Sequence, residues 1–319
     1  MATRRVWLRP FLALAVLAIA GFLLHRAAGQ YSGEDVLASV LAIPPYRLAL
    51  AGFFAAASYV CLTGFDTLAV RYVGRRIPYR YIAMTSFASL SLGHNIGFAA
   101  LSSGAIRYRL YSRYGLAAGD VARIIVFCGI TVGLGLAVLG GVAFCWRPGL
   151  AEQITGISRA GALMTGGACL AAAAGYLLLC ATVRRSVTLW RWRFQLPSLR
   201  LATCQLAIGP LNFAFVAACL HQAVAGVADV PYAGVASVYV MDNVATLISH
   251  VRVGLGVIES VVLMLLPGTS MLGALIVIRV VYFLVPLVLG SMLLALTELF
   301  RTADDEPPVK AAPPAAKMK

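Results

Sequence analysis

Ser91-Leu92-Gly93-His94-Asn95-Ile96-Gly97-Phe98-Ala99-Ala100-Leu101 ends an apolar run over 81–101 that does not read as a plain membrane span. Two glycines four residues apart enclose a His and an Asn in its second half. Glycine weakens a helix, and exposed backbone at membrane depth survives only when buried in protein or facing a wet cavity. Just downstream lie Arg107, Arg109 and Arg113. If 81–101 crossed the bilayer, this cluster would face outward, against the positive-inside bias. The stretch is therefore expected to form a re-entrant hairpin of two short helices that starts and ends on one side.

The rest of the chain agrees with a membrane setting. Of its 319 residues 61% are hydrophobic and only 12% charged, with mean hydropathy +0.87. A soluble domain carries about 25% charged residues, so a soluble fold of this size would leave large apolar patches in water. Six uninterrupted runs, 10–28, 47–70, 121–145, 160–182, 201–224 and 271–297, approach or exceed the roughly 20 residues a helical span needs. The first follows Arg4, Arg5 and Arg9 and reads as an uncleaved anchor. A second broken region, 233–267, is interrupted by His250-Val251-Arg252-Val253-Gly254-Leu255-Gly256 and is expected to be a second hairpin.

Net charge is +14, from 26 Lys and Arg against 12 Asp and Glu. With two hairpins, 20 of the basic residues fall on one side and four on the other (Arg26, Arg47, Arg147 and Arg159), while Arg252 and Arg279 stay in the membrane region. The expected fold class is thus all-α: a polytopic integral membrane helical bundle, six full spans plus two re-entrant helical hairpins. Each half reads span, span, hairpin, span, and the second starts from the opposite side, which makes an inverted repeat with halves at about 1–150 and 151–300 of a single domain. Both termini are expected in the cytoplasm of a bacterial cell whose inner membrane holds the protein. The end, 301–319, holds Asp304-Asp305-Glu306 and Pro/Ala runs and is expected to be a disordered tail. The segment 184–200, with Trp190 and Trp192 among arginines, is expected to be an interfacial helix.

Enzyme patterns are missing from the sequence. There is no P-loop, HExxH, GxSxG or CxxC. Four scattered His and seven Cys, mostly inside apolar runs, predict neither a metal site nor a cofactor nor a disulfide framework. Basic residues in short clusters between apolar runs argue for anionic lipid and against nucleic acid. The informative residues are the polar ones at membrane depth, each costly without a partner or water: Asp66, His94, Asn95, Asp242, Asn243, His250, Arg252, Glu259 and Arg279. Asp66 reads first as interhelical glue. Asp242, Asn243, His250, Arg252 and Glu259 would face one cavity if the second hairpin folds back, with Arg279 as a partner for Glu259 or Asp242. That cavity could hold a phosphate-bearing or zwitterionic head group, or be a closed salt-bridge network. After the first hairpin, helical spacing puts Arg107, Tyr111 and Tyr114 on one face and Arg109 and Arg113 on another. They read either as a phosphate-gripping interface or as an ordinary positive-inside loop.

Two of these stretches are familiar. Leu92-Gly93-His94-Asn95-Ile96-Gly97-Phe98-Ala99-Ala100-Leu101-Ser102-Ser103-Gly104-Ala105-Ile106-Arg107-Tyr108-Arg109-Leu110-Tyr111 resembles a core motif of the lysylphosphatidylglycerol synthase transmembrane region, the flippase-like membrane domain of the bacterial multiple peptide resistance factor and its stand-alone relatives. Ser249-His250-Val251-Arg252-Val253-Gly254-Leu255-Gly256-Val257-Ile258-Glu259 is similar to that family's Ser-His-Val-Pro-Gly-Gly-Leu-Gly-Val-Phe-Glu. Arg252 stands where the pattern has Pro, and Val253 where it has Gly. The resemblance implies a lipid-translocating domain without the family's aminoacyltransferase, for which about 20 residues after the last span leave no room. The expected function is flippase-like binding and translocation of a phospholipid, with His94, Asn95, Arg107, Arg109, Tyr111, Asp242, Asn243, His250, Arg252, Glu259 and Arg279 as head-group candidates. Two alternatives stay open: an enzyme embedded in the membrane, and a scaffold for a separately encoded lipid-modifying synthase. Membrane phospholipids are the expected partners, and homo-oligomerisation is left open.

Overall fold

Two glycines with positive φ set the first helix ends. Gly74 (φ 75°) closes helix α1 (Pro45–Tyr72): its N–H bonds the Arg71 carbonyl at 3.0 Å and the Arg75 N–H bonds that of Val70 at 3.1 Å. Gly115 (φ 74°) repeats the pattern, with Gly115 on Ser112 at 3.1 Å and Leu116 on Tyr111 at 3.3 Å. Both are Schellman caps, which need a left-handed residue that glycine adopts without Cβ strain. The computed structural model describes residues 18, 21–22, 41, 43–96, 99–183, 187–189, 192–226, 228–249 and 271–299.

After α1 come α2 (Tyr79–Ile96) and α3 (Ala99–Tyr111), continued by a 3₁₀ turn over Ser112–Tyr114. Then follow α4 (Ala118–Trp146), short α5 (Pro148–Thr155), α6 (Arg159–Thr182), strands β1 (Val187–Leu189) and β2 (Trp192–Phe194), α7 (Leu199–Val224) and α8 (Tyr232–Ser249). The last span is α9 (Met271–Ile278), a π turn over Arg279–Leu284, and α10 (Val285–Leu299). Ser158 and Ser198 cap α6 and α7 by accepting from the N–H of Gly161 and Leu201. Five helices are long and apolar enough to cross a bilayer: α1, α4, α6, α7 and the last span from Ala274. They match five of the six expected runs. Phe53, Met164, Leu178, Leu289 and Met292 on these helices are exposed, as lipid-facing side chains of a membrane bundle would be. The expected span at 10–28 apart from residues 18 and 21–22, the return arm of the second hairpin and the tail lie outside the described residues.

One expectation fails at 184–200. Among the described residues of that segment, Val187–Leu189 and Trp192–Phe194 pair as antiparallel strands where an interfacial helix was expected, with Val187 opposite Phe194, Thr188 opposite Arg193 and Leu189 opposite Trp192. Val, Thr, Trp and Phe in near alternation favour extended backbone over helix, and this local propensity outweighed the amphipathic reading.

The chain forms two compact units. One gathers Asp66–Cys128 and the chain from Phe283 onward; the other contains α1 up to Phe65 and Gly129–Tyr282. In the first unit α2 packs on both α3 and α10. The first turn of α2 and the end of α3 lie side by side, with the Tyr81 and Tyr114 rings 5.1 Å apart. The start of α2 and the end of α3 are thus near neighbours, but α2 stays helical through Gly93-His94-Asn95-Ile96, where the glycine spacing predicts a break; Gly97 and Phe98 lie outside the described residues. The two short helices expected within 81–101 are replaced by the 18-residue α2 and by α3, which runs on to Tyr111. At 18 residues α2 is about 27 Å long.

In the second unit, small residues let backbones meet. A Cβ on Gly135 of α4 would lie 2.7 Å from the Gly209 carbonyl carbon of α7, and one on Gly209 would lie 2.7 Å from the Thr131 carbonyl oxygen. Gly141 and Gly166 make the same close approach between α4 and α6. Lipid tails are as apolar as leucine, so membrane helices associate through such close packing and through hydrogen bonds. Gln205 supplies these, donating to Thr131 Oγ1 at 2.9 Å and accepting from the Tyr176 hydroxyl at 2.6 Å. Replacing Gly135 with Ala is expected to cost about 1–3 kcal/mol through overpacking, read as a lower thermal midpoint in detergent. Gly133→Ala, whose added Cβ meets nothing within 4 Å, is the control and is expected to lose nothing.

Candidate functional site

Asp66 lies in the penultimate turn of α1 and is fully buried (0% exposed). A carboxylate there must be neutralised and its lone pairs filled, or the segment would not stay in an apolar setting. Arg107 of α3 does both, presenting a fork with Nε 2.9 Å from Oδ1 and Nη2 2.8 Å from Oδ2. The Ser86 hydroxyl of α2 donates to Oδ2 at 2.7 Å and the Tyr111 hydroxyl donates to Oδ1 at 3.3 Å. Ser103, one turn before Arg107, accepts from Nη1 at 3.1 Å. All five side chains are buried.

The opposite face of α3 makes a second ion cluster. Arg109 reaches Glu298 near the end of α10, with Nε 3.3 Å from Oε1 and Nη2 3.1 Å from Oε2, and Arg113 also donates to Oε1. Glu298 is buried, whereas the Arg109 side chain is 43% exposed. The two faces read from sequence spacing are therefore real, and each has its own acid. Asp120 is shared in the same way by Arg75 at 3.8 Å and Arg123 at 3.7 Å.

Near the hairpin turn, Asn95 donates to the Ser91 carbonyl at 2.8 Å and to the Phe283 carbonyl at 3.3 Å. Half-buried His94 precedes it. Ser91 itself bonds back to the Phe87 carbonyl, and a Cβ on Gly290 of α10 would collide with its hydroxyl. In the second unit Tyr282 draws polar partners from α1. The Tyr59 hydroxyl donates to the Tyr282 carbonyl at 3.4 Å, while Ser58 links the Tyr282 hydroxyl at 2.9 Å to Asn212 Oδ1 at 2.8 Å.

The structure thus brings Arg107 and Tyr111 together on Asp66, puts Arg109 on a different acid, and leaves Asn95 at the hairpin turn. Asn243 bonds the Tyr239 carbonyl of its own helix at 2.7 Å, and Arg279 opens the π turn. His250, Arg252, Glu259 and the Asp242 side chain lie outside the described residues, so the expected cavity of the second hairpin and the pairing of Arg279 with Glu259 or Asp242 fall there too. Sequence reading did not find Glu298, which sits 189 positions from Arg109, nor the Ser58–Tyr282–Asn212 chain. A carboxylate in the last turn of an apolar span was the available signal for Glu298.

Breaking the Asp66 cluster on one side leaves a charge buried without its counter-ion. Asp66→Asn is expected to cost about 3–5 kcal/mol, seen as loss of monodisperse protein on detergent extraction. The double variant Asp66→Asn/Arg107→Gln is expected to recover most of that loss. Arg107→Lys, which cannot make the fork, is expected to fall between wild type and Asp66→Asn.

No protein-family model matches the chain, so the likeness to the lysylphosphatidylglycerol synthase transmembrane region rests on its two motifs. Two relatives align over most of its length. The uncharacterised protein slr0712 of Synechocystis is 31% identical over 276 residues, spanning 85% of this chain and 86% of its own. The inner membrane protein YbhN of Escherichia coli is 29% identical over 250 residues, spanning 76% and 77%. Five candidate spans and these alignments lead to one conclusion: the chain belongs with slr0712 to a family of multi-pass membrane proteins that has YbhN as a further relative.

Proposed function

We propose that the protein binds phospholipid head groups and moves them across the inner membrane, as a flippase-like translocator with no catalytic step of its own. The observation that carries this reading is the buried charge on the first hairpin. Ionisable groups inside membrane segments are costly and mark substrate or ion paths by default. Here Asp66, Arg107 and a row of buried hydroxyls (Thr85, Ser86, Ser89 and Ser91) concentrate on one helical hairpin and its neighbour α1. The two sequence motifs and the inner-membrane relative support the same reading.

In this reading six spans and two re-entrant hairpins form an inverted repeat, both termini are cytoplasmic, and the hairpins meet the lipid head group from opposite sides. Arg252, at the tip of the second hairpin, grips the lipid phosphate. A guanidinium near the midplane would otherwise cost several kcal/mol even with snorkelling and water defects.

The test is reconstitution into vesicles carrying fluorescently labelled phosphatidylglycerol, with quencher added outside. Wild type is expected to expose inner-leaflet label within minutes, and Arg252→Gln to slow this about tenfold while eluting as folded protein. Kinetics equal to those of empty vesicles, for anionic and zwitterionic lipids alike, would overturn the proposal. Orientation is checked separately: a cysteine at Ser112 is expected to react only with reagent admitted to the cytoplasmic side, and labelling from outside intact spheroplasts would remove the re-entrant topology.

A further inference from the structure

We propose that Arg109 and Arg113 form a membrane-surface site for the phosphate of an anionic phospholipid, with Glu298 as its resident counter-ion. The inference rests on the lipid-binding half of the function proposed above and is independent of translocation.

Charge comes first. Among the described residues two guanidiniums meet one carboxylate, one cation more than the acid neutralises. Glu298 is buried at 1% exposure with both oxygens occupied by the arginines, and it can take no further share of that charge. Arg109 turns one edge of its fork to Glu298, and 43% of its side chain stays exposed. Beyond Glu298 its guanidinium has no other partner among the described residues. A phosphodiester carries one negative charge and accepts paired N–H groups as a carboxylate does. It matches both the surplus charge and the open edge.

Depth in the bilayer comes second. Tyrosine collects at the membrane–water boundary because its ring is apolar and its hydroxyl is wet. The same end of this unit carries exposed Tyr79 and Tyr108, the Tyr81–Tyr114 ring pair, and Arg80 lying 4.6 Å over the Tyr81 ring. Arg113 immediately precedes Tyr114 in the 3₁₀ turn. That belt puts Arg109 and Arg113 at the level of head groups, which favours a lipid phosphate over a dissolved one.

Native mass spectrometry of the full chain in detergent, with phosphatidylglycerol or phosphatidylcholine added, tests the site. Wild type is expected to retain phosphatidylglycerol in preference. Arg109→Gln leaves Arg113 on Glu298 and is expected to fold, while retained phosphatidylglycerol falls about tenfold, the scale of one lost charge-assisted hydrogen bond. Glu298→Gln removes the competing acid and is expected to raise retention severalfold. This reversal of sign separates a ligand site from a structural clamp, in which both variants would weaken the fold and neither would alter lipid selectivity. Retention at the wild-type level in both variants, or a fall in Glu298→Gln, would overturn the site. Excess inorganic phosphate distinguishes the two sources of the anion: undiminished retention supports the membrane lipid, and displacement overturns it in favour of a soluble phosphate. Selective retention without vesicle translocation would remove the function proposed above and leave this site standing.

Discussion

The described part of the first unit depends on the ion pair between Asp66 and Arg107. A carboxylate at 0% exposure and a guanidinium at 4% could not be placed among apolar helices separately. Together, with Ser86, Ser103 and Tyr111 filling the remaining positions, they become a neutral, hydrogen-bonded body. The geometry of that body is demanding, since the two parallel bonds of the fork fix the rotation of α3 about its axis relative to the end of α1. Once this rotation is set, Arg109, two residues along, cannot face Asp66. It and Arg113 must find another acid, and Glu298 of α10 is the one they reach.

Two polar anchors and one close packing contact then hold α10 and the turn before it against α2 and α3. Asn95 donates to the Phe283 carbonyl at one end, the Ser91 hydroxyl packs into the space a Cβ on Gly290 would need, and Glu298 is clamped at the other end. Between them lies an apolar layer of Ala88, Leu92, Leu110, Leu287 and Leu294. The polar contacts set the register and the apolar layer fills it. Without a strong hydrophobic drive between helices in lipid, this division of labour is what gives a membrane hairpin a defined position.

Much of this was legible in the sequence, for identifiable reasons. Apolar runs of span length survive any tertiary context, so α1, α4, α6, α7 and the last span lie close to where hydropathy put them. The glycines were less decisive, because the last turn of α2 absorbs Gly93 without a break. The two faces of α3 followed from helical spacing alone. The identity of the partners did not: Ser58 meets Tyr282 across 224 positions and Asn212 across 154, and no local pattern encodes such a choice. The ribbon over 187–194 was misread because tryptophan among arginines suits an interfacial helix and a strand pair alike, and only the β-branched Val187 and Thr188 tip the balance.

The contrast between the faces of α3 bears on what each can do. Around Asp66 the donors and acceptors are matched, all five side chains are buried, and the cluster is neutral. Such a body resists change, because removing either charge strands the other. Around Glu298 the described residues supply two cations for one acid, and the Arg109 side chain is 43% exposed. An anion can meet the open edge of Arg109 without displacing Glu298. Because both faces belong to one rigid helix of 13 residues, an anion seated on Arg109 would bear directly on the element that carries Arg107. The sealed pair makes α3 stiff, and a stiff helix keeps the open pair at a fixed depth, where a head group can meet it.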